Sequence, residues 1–329
     1  MFKRILICLV MCTLVCSMFA SLEKKLQELL GKNAEMYLEP LANTIGAGLN
    51  VGQYNNASTL PPLTFSVRVG SGLISIPSSD KTFYAAMPDG EKVKTATIFG
   101  KEGASHTYTH TFTQTIEGVG EVSWDQDIEI NLPQGWDDAL PFVPVPNVSV
   151  FLGLPMGNEL MLRYLPPMKL PGDLGDATVF GIGVKHSIDQ YLPSMFPVHL
   201  AVQGSYQNIE IGDIVKINAT SFNAIASKKL LMLTLYGSVG VETSSLSVKY
   251  TYQPTFDSIG LPIDPTLPID PSQLIPELEP IPISLNFNGA NDVRTTLGIR
   301  YAVLPFISVY GDVTAAKYSS YNVGLGIGF

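Results

Sequence analysis

Apolar and polar residues alternate along most of this chain, and the faces they define predict the elements. Phe65, Val67, Val69 and Leu73 alternate with Ser66, Arg68, Gly70 and Gly72, a period of two that predicts a strand with one apolar face. Val198, Leu200, Val202 and Tyr206 share a face in the same way. So do Leu231, Leu233, Leu235, Val239 and Val241, and then Leu246, Val248, Tyr250 and Tyr252. Opposite them stand His199, Gln203, Ser205, Thr234, Ser238, Ser247 and Lys249, a hydrophilic lining if the sheet closes. The last strand sets Tyr321, Val323, Leu325, Ile327 and Phe329 against Asn322, Gly324, Gly326 and Gly328. Turns are expected at Asp89-Gly90, Met156-Gly157-Asn158 and Asn288-Gly289.

Two stretches depart from this period. Leu22, Leu26 and Leu29 fall at helical spacing, followed by a second helical stretch over 34–49 carrying Tyr37, Leu38 and Leu41, with a break expected at Pro40. The segments 123–146 and 253–282 are rich in proline and acidic residues and are expected to be loops, because proline cannot donate to a ladder.

Composition narrows the class. Hydrophobic residues make up 46% of 329 residues with a mean hydropathy of +0.22, yet beyond the N-terminus no apolar run reaches the roughly 18 residues of a membrane helix. Hydrophobicity spread over short alternating segments suits a transmembrane antiparallel β-barrel, where every backbone group is paired within the hydrocarbon. Residues 61–329 then accommodate about 14 strands, with 12 as the alternative, after a helical plug over 21–60. A soluble ligand-binding β-sandwich is the competing architecture, and requires the alternating faces to meet in one core.

Residues 1–20 read as a signal peptide: Lys3 and Arg4, an apolar stretch over 5–15, and small residues at Ser17 and Ala20. Cys8, Cys12 and Cys16 all lie within it, so disulfides and thiolate metal sites are not expected in the remainder. The net charge of −9 leaves no basic patch for nucleic acid. No Lys or Arg occurs between Lys101 and Arg163 or between Lys249 and Arg294, which predicts acidic loops on one side of a barrel. No metal or other cofactor is expected: His106 and His110 are too far apart along a strand to share an ion, and Asp125, Asp127 and Glu129 lack the spacing of a calcium loop. Nor is the chain expected to be an enzyme, since His186 and Ser187 point to opposite faces of a strand and no nucleophile elbow is present.

Several motifs resemble an outer-membrane β-barrel family of otherwise uncharacterised function: YLEPLAN at 37–43, GLPMG at 153–157, RYLP at 163–166 and GIGVKHSIDQYLP at 181–193. The terminal strand 321–329 resembles the closing signal of bacterial outer-membrane barrels, which implies outer-membrane lipid and the barrel assembly machinery as partners and the Gram-negative outer membrane as location. A helical plug before a medium barrel is similar in architecture to FadL-type channels for hydrophobic compounds. That likeness implies passive transport of small hydrophobic molecules through a plugged lumen, with the plug at the periplasmic end. Lys185, His186, Asp189, Gln190 and Tyr191 are the candidate luminal constriction, and Trp124, Trp136 and Phe142 the candidate loop surface that captures an apolar ligand. A surface-interaction or structural barrel without transport is the alternative.

Overall fold

The structure, a computed structural model, describes residues 31–116, 120–136, 142–169, 176–193, 197–252 and 280–328. Residues 1–20, expected to be a signal peptide, and Leu22, Leu26 and Leu29 lie outside these residues, as do most of the proline-rich segment 253–282 and Phe329.

One helix, α1 (Lys32–Leu49), precedes fifteen described strands. They are β1 (Phe65–Ser75), β2 (Thr82–Ala86), β3 (Lys92–Ala96), β4 (Ser105–Ile116), β5 (Gly120–Asn131), β6 (Phe142–Leu154), β7 (Asn158–Lys169) and β8 (Asp176–Ser187). Then follow β9 (His199–Ile211), β10 (Val215–Leu230), β11 (Leu233–Tyr252), β12 (Ile281–Asn288), β13 (Val293–Leu304), β14 (Ile307–Ala315) and β15 (Ser320–Gly328).

Ten of them close an antiparallel ring in the order β1-β6-β7-β8-β9-β10-β11-β13-β14-β15, with β15 returning to β1. Tyr321 pairs with Leu73, Val323 with Ser71, Leu325 with Val69 and Ile327 with Val67, so the terminal strand does close the barrel. Beginnings of β1 and ends of β15 share one rim, the terminal end, with the tight β6–β7, β10–β11 and β13–β14 turns. Met156 and Gly157 both take positive φ in the first of these turns, which glycine accepts without strain. The opposite rim is the loop end.

Ten wall strands replace the expected 14 for two reasons. Residues 76–141 carry two hairpins, β2–β3 and β4–β5, that form sheets of their own outside the wall. The hairpin expected at Asn288-Gly289 is absent: β12 pairs with the upper half of β11 (Ser245 with Asn288) and β13 with its lower half (Val241 with Val293), so the two run as one interrupted strand. The segment 123–146 also contributes to strands β5 and β6, contrary to expectation. Pro144 and Pro146 are tolerated because β6 pairs with β7 only over Val150–Leu154, and their missing N–H groups fall where that ladder has stopped.

Side-chain direction splits the barrel into two zones. In the terminal-side zone the outward positions are apolar and exposed, as at Phe222, Leu235, Val239, Val241, Leu297 and Ile299. Residues 233–241 of β11 alternate over nine positions, with Leu235, Val239 and Val241 exposed on the outer face, and nine residues is the length a tilted strand needs to cross hydrocarbon. Inward positions there are polar and buried: Gln203, Ser205, Ser221, Asn223, Ser238 and Thr296. In the loop-side zone the pattern reverses. Ile211, Val215, Ile217, Leu246, Val248, Leu285 and Phe287 point inward and pack with Tyr37, Leu38, Leu41 and Ile45 of α1, while Lys216, Ser247 and Lys249 face out. This collar corrects the assignment of Leu246 and Val248 to the lipid face and of Ser247 and Lys249 to the lumen.

The helix runs unbroken through Pro40. Thr44 donates its hydroxyl to the Pro40 carbonyl at 2.7 Å. Among the described residues no helix is long and apolar enough to cross a membrane.

Candidate functional site

The lumen is the candidate site, because the chain's own N-terminal segment runs through it. From the collar, residues 50–60 descend as an irregular strand of chain to the terminal end, where β1 begins. A segment without secondary structure, threaded through a barrel, must pair its backbone with the wall. Arg163 does this first: Nη1 donates to the Leu49 carbonyl at 2.9 Å, Nη2 to the Val51 carbonyl at 3.0 Å, and Nε to Ser149 Oγ at 3.2 Å. Arg294 Nη1 donates to the Asn50 carbonyl at 2.7 Å and to Glu242 at 2.9 Å. Two guanidinium groups thus meet the C-terminal end of α1, where unpaired carbonyls carry partial negative charge.

Lower down, Tyr54 hydrogen-bonds Ser238 at 2.5 Å and Thr296 at 3.2 Å. Ser221 donates to Gln53 Oε1 at 2.8 Å, and Gln203 Nε2 to the Gln53 carbonyl at 3.2 Å. Ala57 N–H donates to Ser227 at 2.9 Å. Near the terminal end Lys185 Nζ donates to the Ser58 carbonyl and to Glu159, each at 2.9 Å, while Glu159 also accepts from Leu60 N–H at 3.0 Å. Close approach is built in beside Gly72, where a Cβ would meet Val51 Cβ at 3.2 Å.

The plug therefore consists of α1 in the collar plus this extended thread. It differs from the expected helical plug over 21–60: among the described residues of that stretch only α1 is helical, and it occupies the loop end, the rim remote from the start of β1. Tyr37, Leu38 and Leu41 are its buried residues, as their spacing predicted.

Of the five candidate constriction residues only Lys185 enters the lumen. His186 is the next residue on β8 and so takes the opposite face. Asp189, Gln190 and Tyr191 form a 3-10 turn at the terminal rim, after the end of β8. There His186 Nδ1 lies 2.8 Å from Asn158 Oδ1 and its Nε2 3.2 Å from the Tyr191 hydroxyl. Gln190 Nε2 donates to the Met156 carbonyl at 3.1 Å. Asp189 accepts from Ser187 and lies 2.6 Å from His199 Nδ1. Partial burial raises the Asp189 carboxyl, but the Ser187 and His199 hydrogen bonds outweigh it and hold the group below its ordinary 3.8.

The three candidate capture aromatics do not converge. Trp136 packs on Phe99, edge to face with centroids 5.7 Å apart, against the core that holds α1. Phe142 meets Tyr321 edge to face at 5.4 Å on the barrel wall. Trp124 lies in β5, and its side chain is outside the description. Hairpin β4–β5 instead presents a hydroxyl and carboxylate face: Thr109 donates to Asp127 at 2.7 Å, Thr111 to Asp125 at 2.6 Å, and Thr113 pairs with Ser123 at 3.0 Å. Beside it Asp89, Glu91 and His106 bring ligand atoms within 4.8 Å of one another. The His106 hydrogen bond holds the Asp89 carboxyl below its ordinary value.

Sequence reasoning missed Arg163, Arg294, Glu159 and Glu242. The available signal was charge at an inward parity of an otherwise alternating strand, as with Arg294 two residues before Thr296.

The sequence matches, over residues 1–329, the family described as "Family of unknown function (DUF6588)". The chain belongs to this family. No curated protein matches it. Among solved structures, it is similar to Ail, the attachment invasion locus protein of Yersinia pestis: 8% identity, 82% of this chain and 99% of that one covered, TM-score 0.27. A loop L8 deletion mutant of OmpT, an outer membrane protein of Vibrio cholerae, gives 8% identity, 81% and 100% coverage and a TM-score of 0.25. The N-terminal β-barrel domain of Pseudomonas aeruginosa OprF gives 15%, 52% and 94%, and 0.21. The antiparallel barrel of this DUF6588 member rests on its own strand pairing.

Proposed function

We propose that the protein is a bacterial outer-membrane β-barrel sealed by its own N-terminal segment, and that it acts through what its loop end engages rather than as an open pore. Outer-membrane lipid meets the apolar outward zone, and the barrel assembly machinery reads the closing strand. The observation that carries the reading is the thread: its backbone is bonded to the wall from Leu49 to Leu60, so the lumen is occupied along its length. Hairpin β4–β5, with its exposed threonine and carboxylate face, is the surface offered to a partner.

A second reading, passive transport of small hydrophobic molecules, is favoured by a different feature. The β6–β7 ladder covers only residues 150–154 and 158–162, and beyond it prolines stand on both strands, at Pro144 and Pro146 and at Pro166 and Pro167. Such a seam is where a solute would leave sideways into lipid once the thread moved.

The experiment is conductance and apolar-solute uptake in liposomes, using the full chain and a variant with Val51→Cys and Gly72→Cys, which pins the thread to β1. The Cβ separation of 3.2 Å is a few tenths of an ångström short of the usual disulfide range, so the thread shifts slightly outward as the bond closes. The sealed reading expects negligible passage by wild type and by the oxidised and reduced variant alike. Passage by wild type and by the reduced variant that oxidation of the variant stops overturns it in favour of transport.

A further inference from the structure

The terminal end of the lumen holds a cavity of about 290 Å³ between the thread and strands β1, β13, β14 and β15. Arg68, Glu159 and Arg300 line it, with the hydroxyls of Ser66 and Ser308 and the side chain of Asn55. Arg68 is 4% exposed, and its guanidinium is fixed flat over Phe151, with Cζ 3.6 Å from the ring centroid. Its only carboxylate neighbour among the described residues is Glu159, with Nη2 3.8 Å from Oε1. That carboxylate is already committed to Lys185 at 2.9 Å and to Leu60 N–H at 3.0 Å. Arg68 Nη1 is left buried with no hydrogen-bond partner among the described residues, and Arg300 Nε is in the same condition.

A buried guanidinium with an unmade donor is costly, because the N–H has lost its water and gained no partner. Two of them lining one cavity, beside Lys185 and with a single carboxylate between the three cations, make this end of the lumen locally positive. Planar guanidinium groups match oxyanions, which accept two parallel N–H bonds. We propose that this cavity is a binding site for the oxyanion group of a small solute, a carboxylate or phosphate, entering from the terminal end. Arg68 supplies the fixed donor and Arg300 the second arm. The Ser66 and Ser308 hydroxyls are placed to hydrogen-bond the remaining oxygens. The volume corresponds to roughly ten waters, which limits the ligand to about ten heavy atoms. The proposal does not depend on whether the lumen ever opens.

The test is isothermal titration of the refolded full chain in detergent with inorganic phosphate and with acetate, at constant ionic strength. Wild type is compared with Arg68→Gln, Arg300→Gln and, as control, Lys228→Gln, an exposed residue at the end of β10. Saturable one-to-one binding of either anion, weakened at least tenfold by Arg300→Gln and by Arg68→Gln and unchanged by the control, is the expected result. Arg300 is only half-buried, so Arg300→Gln decides the matter even where Arg68→Gln does not fold. Absence of saturable heat for both anions, or equal binding by wild type, Arg300→Gln and the control, overturns the site.

Discussion

Strand β11 compares two environments within one element. Over its first half, Val239 points out and Ser238 points in; over its second half, Leu246 points in and Ser247 points out. The pleat is continuous between them and the strand keeps its neighbour β10 throughout. What changes is the medium on each side. Below, the outer face is apolar, as the proposed lipid contact requires, and a polar, hydrogen-bonded thread lies inside; above, the outer face is polar and the apolar face of α1 lies inside. A period of two establishes which residues share a face, but the sign of that face comes from what it touches.

The largest effect expected from breaking this arrangement is in the lower interior, where charge survives only by pairing. Glu159→Ala leaves Lys185 buried without its carboxylate and is expected to cost about 3–5 kcal/mol in denaturant unfolding of the vesicle-refolded protein. Leu246→Ala, in the collar core, should cost about 2–5 kcal/mol and expose α1 to protease first. Val239→Arg places a charge on the lipid face and should cost about 2–4 kcal/mol, whereas Ser247→Arg, eight residues along the same strand, should stay within about 0.5 kcal/mol. Equal costs for the two arginine variants would erase the boundary between the zones.

The smallest effect concerns the outer rim. Because the folded Asp189 carboxyl lies below its ordinary value of 3.8, its contribution is complete above that pH and is lost as pH falls through the lower folded value. Asp189→Asn should therefore lower stability slightly at neutral pH and flatten the acid limb of the unfolding profile below pH 4. An acid limb identical to wild type would show that the Ser187 and His199 contacts contribute nothing.

Much of the wall was legible in the chain, because alternation survives wherever the two faces of a strand meet different surroundings. The closing strand and the helical spacing of Tyr37, Leu38 and Leu41 were legible for the same reason: an apolar face has a period. Residues 50–60 have none, and their role as a thread could not be read, since their partners are wall residues more than a hundred positions away, such as Ser227 for Ala57. Proline misled at Pro144 and Pro146, where an interrupted ladder removes the objection to it. Dividing length by a typical strand-plus-loop length miscounted the wall because 76–141 fold beside it. The candidate constriction failed at His186 by a single step of parity.

The position of α1 also has a mechanical meaning. The thread is anchored at the terminal end, where it joins β1, so clearing the lumen toward that end means drawing α1 downward through the barrel. A helix about 10–12 Å across, seated in the collar above a lumen already lined with inward side chains, acts as the knot at the end of a rope. Traction from the terminal side tightens it against its seat until the helix itself unwinds. During folding the same geometry dictates an order of events: the rope must lie in place before β15 zips onto β1, because after that step the knot can no longer pass.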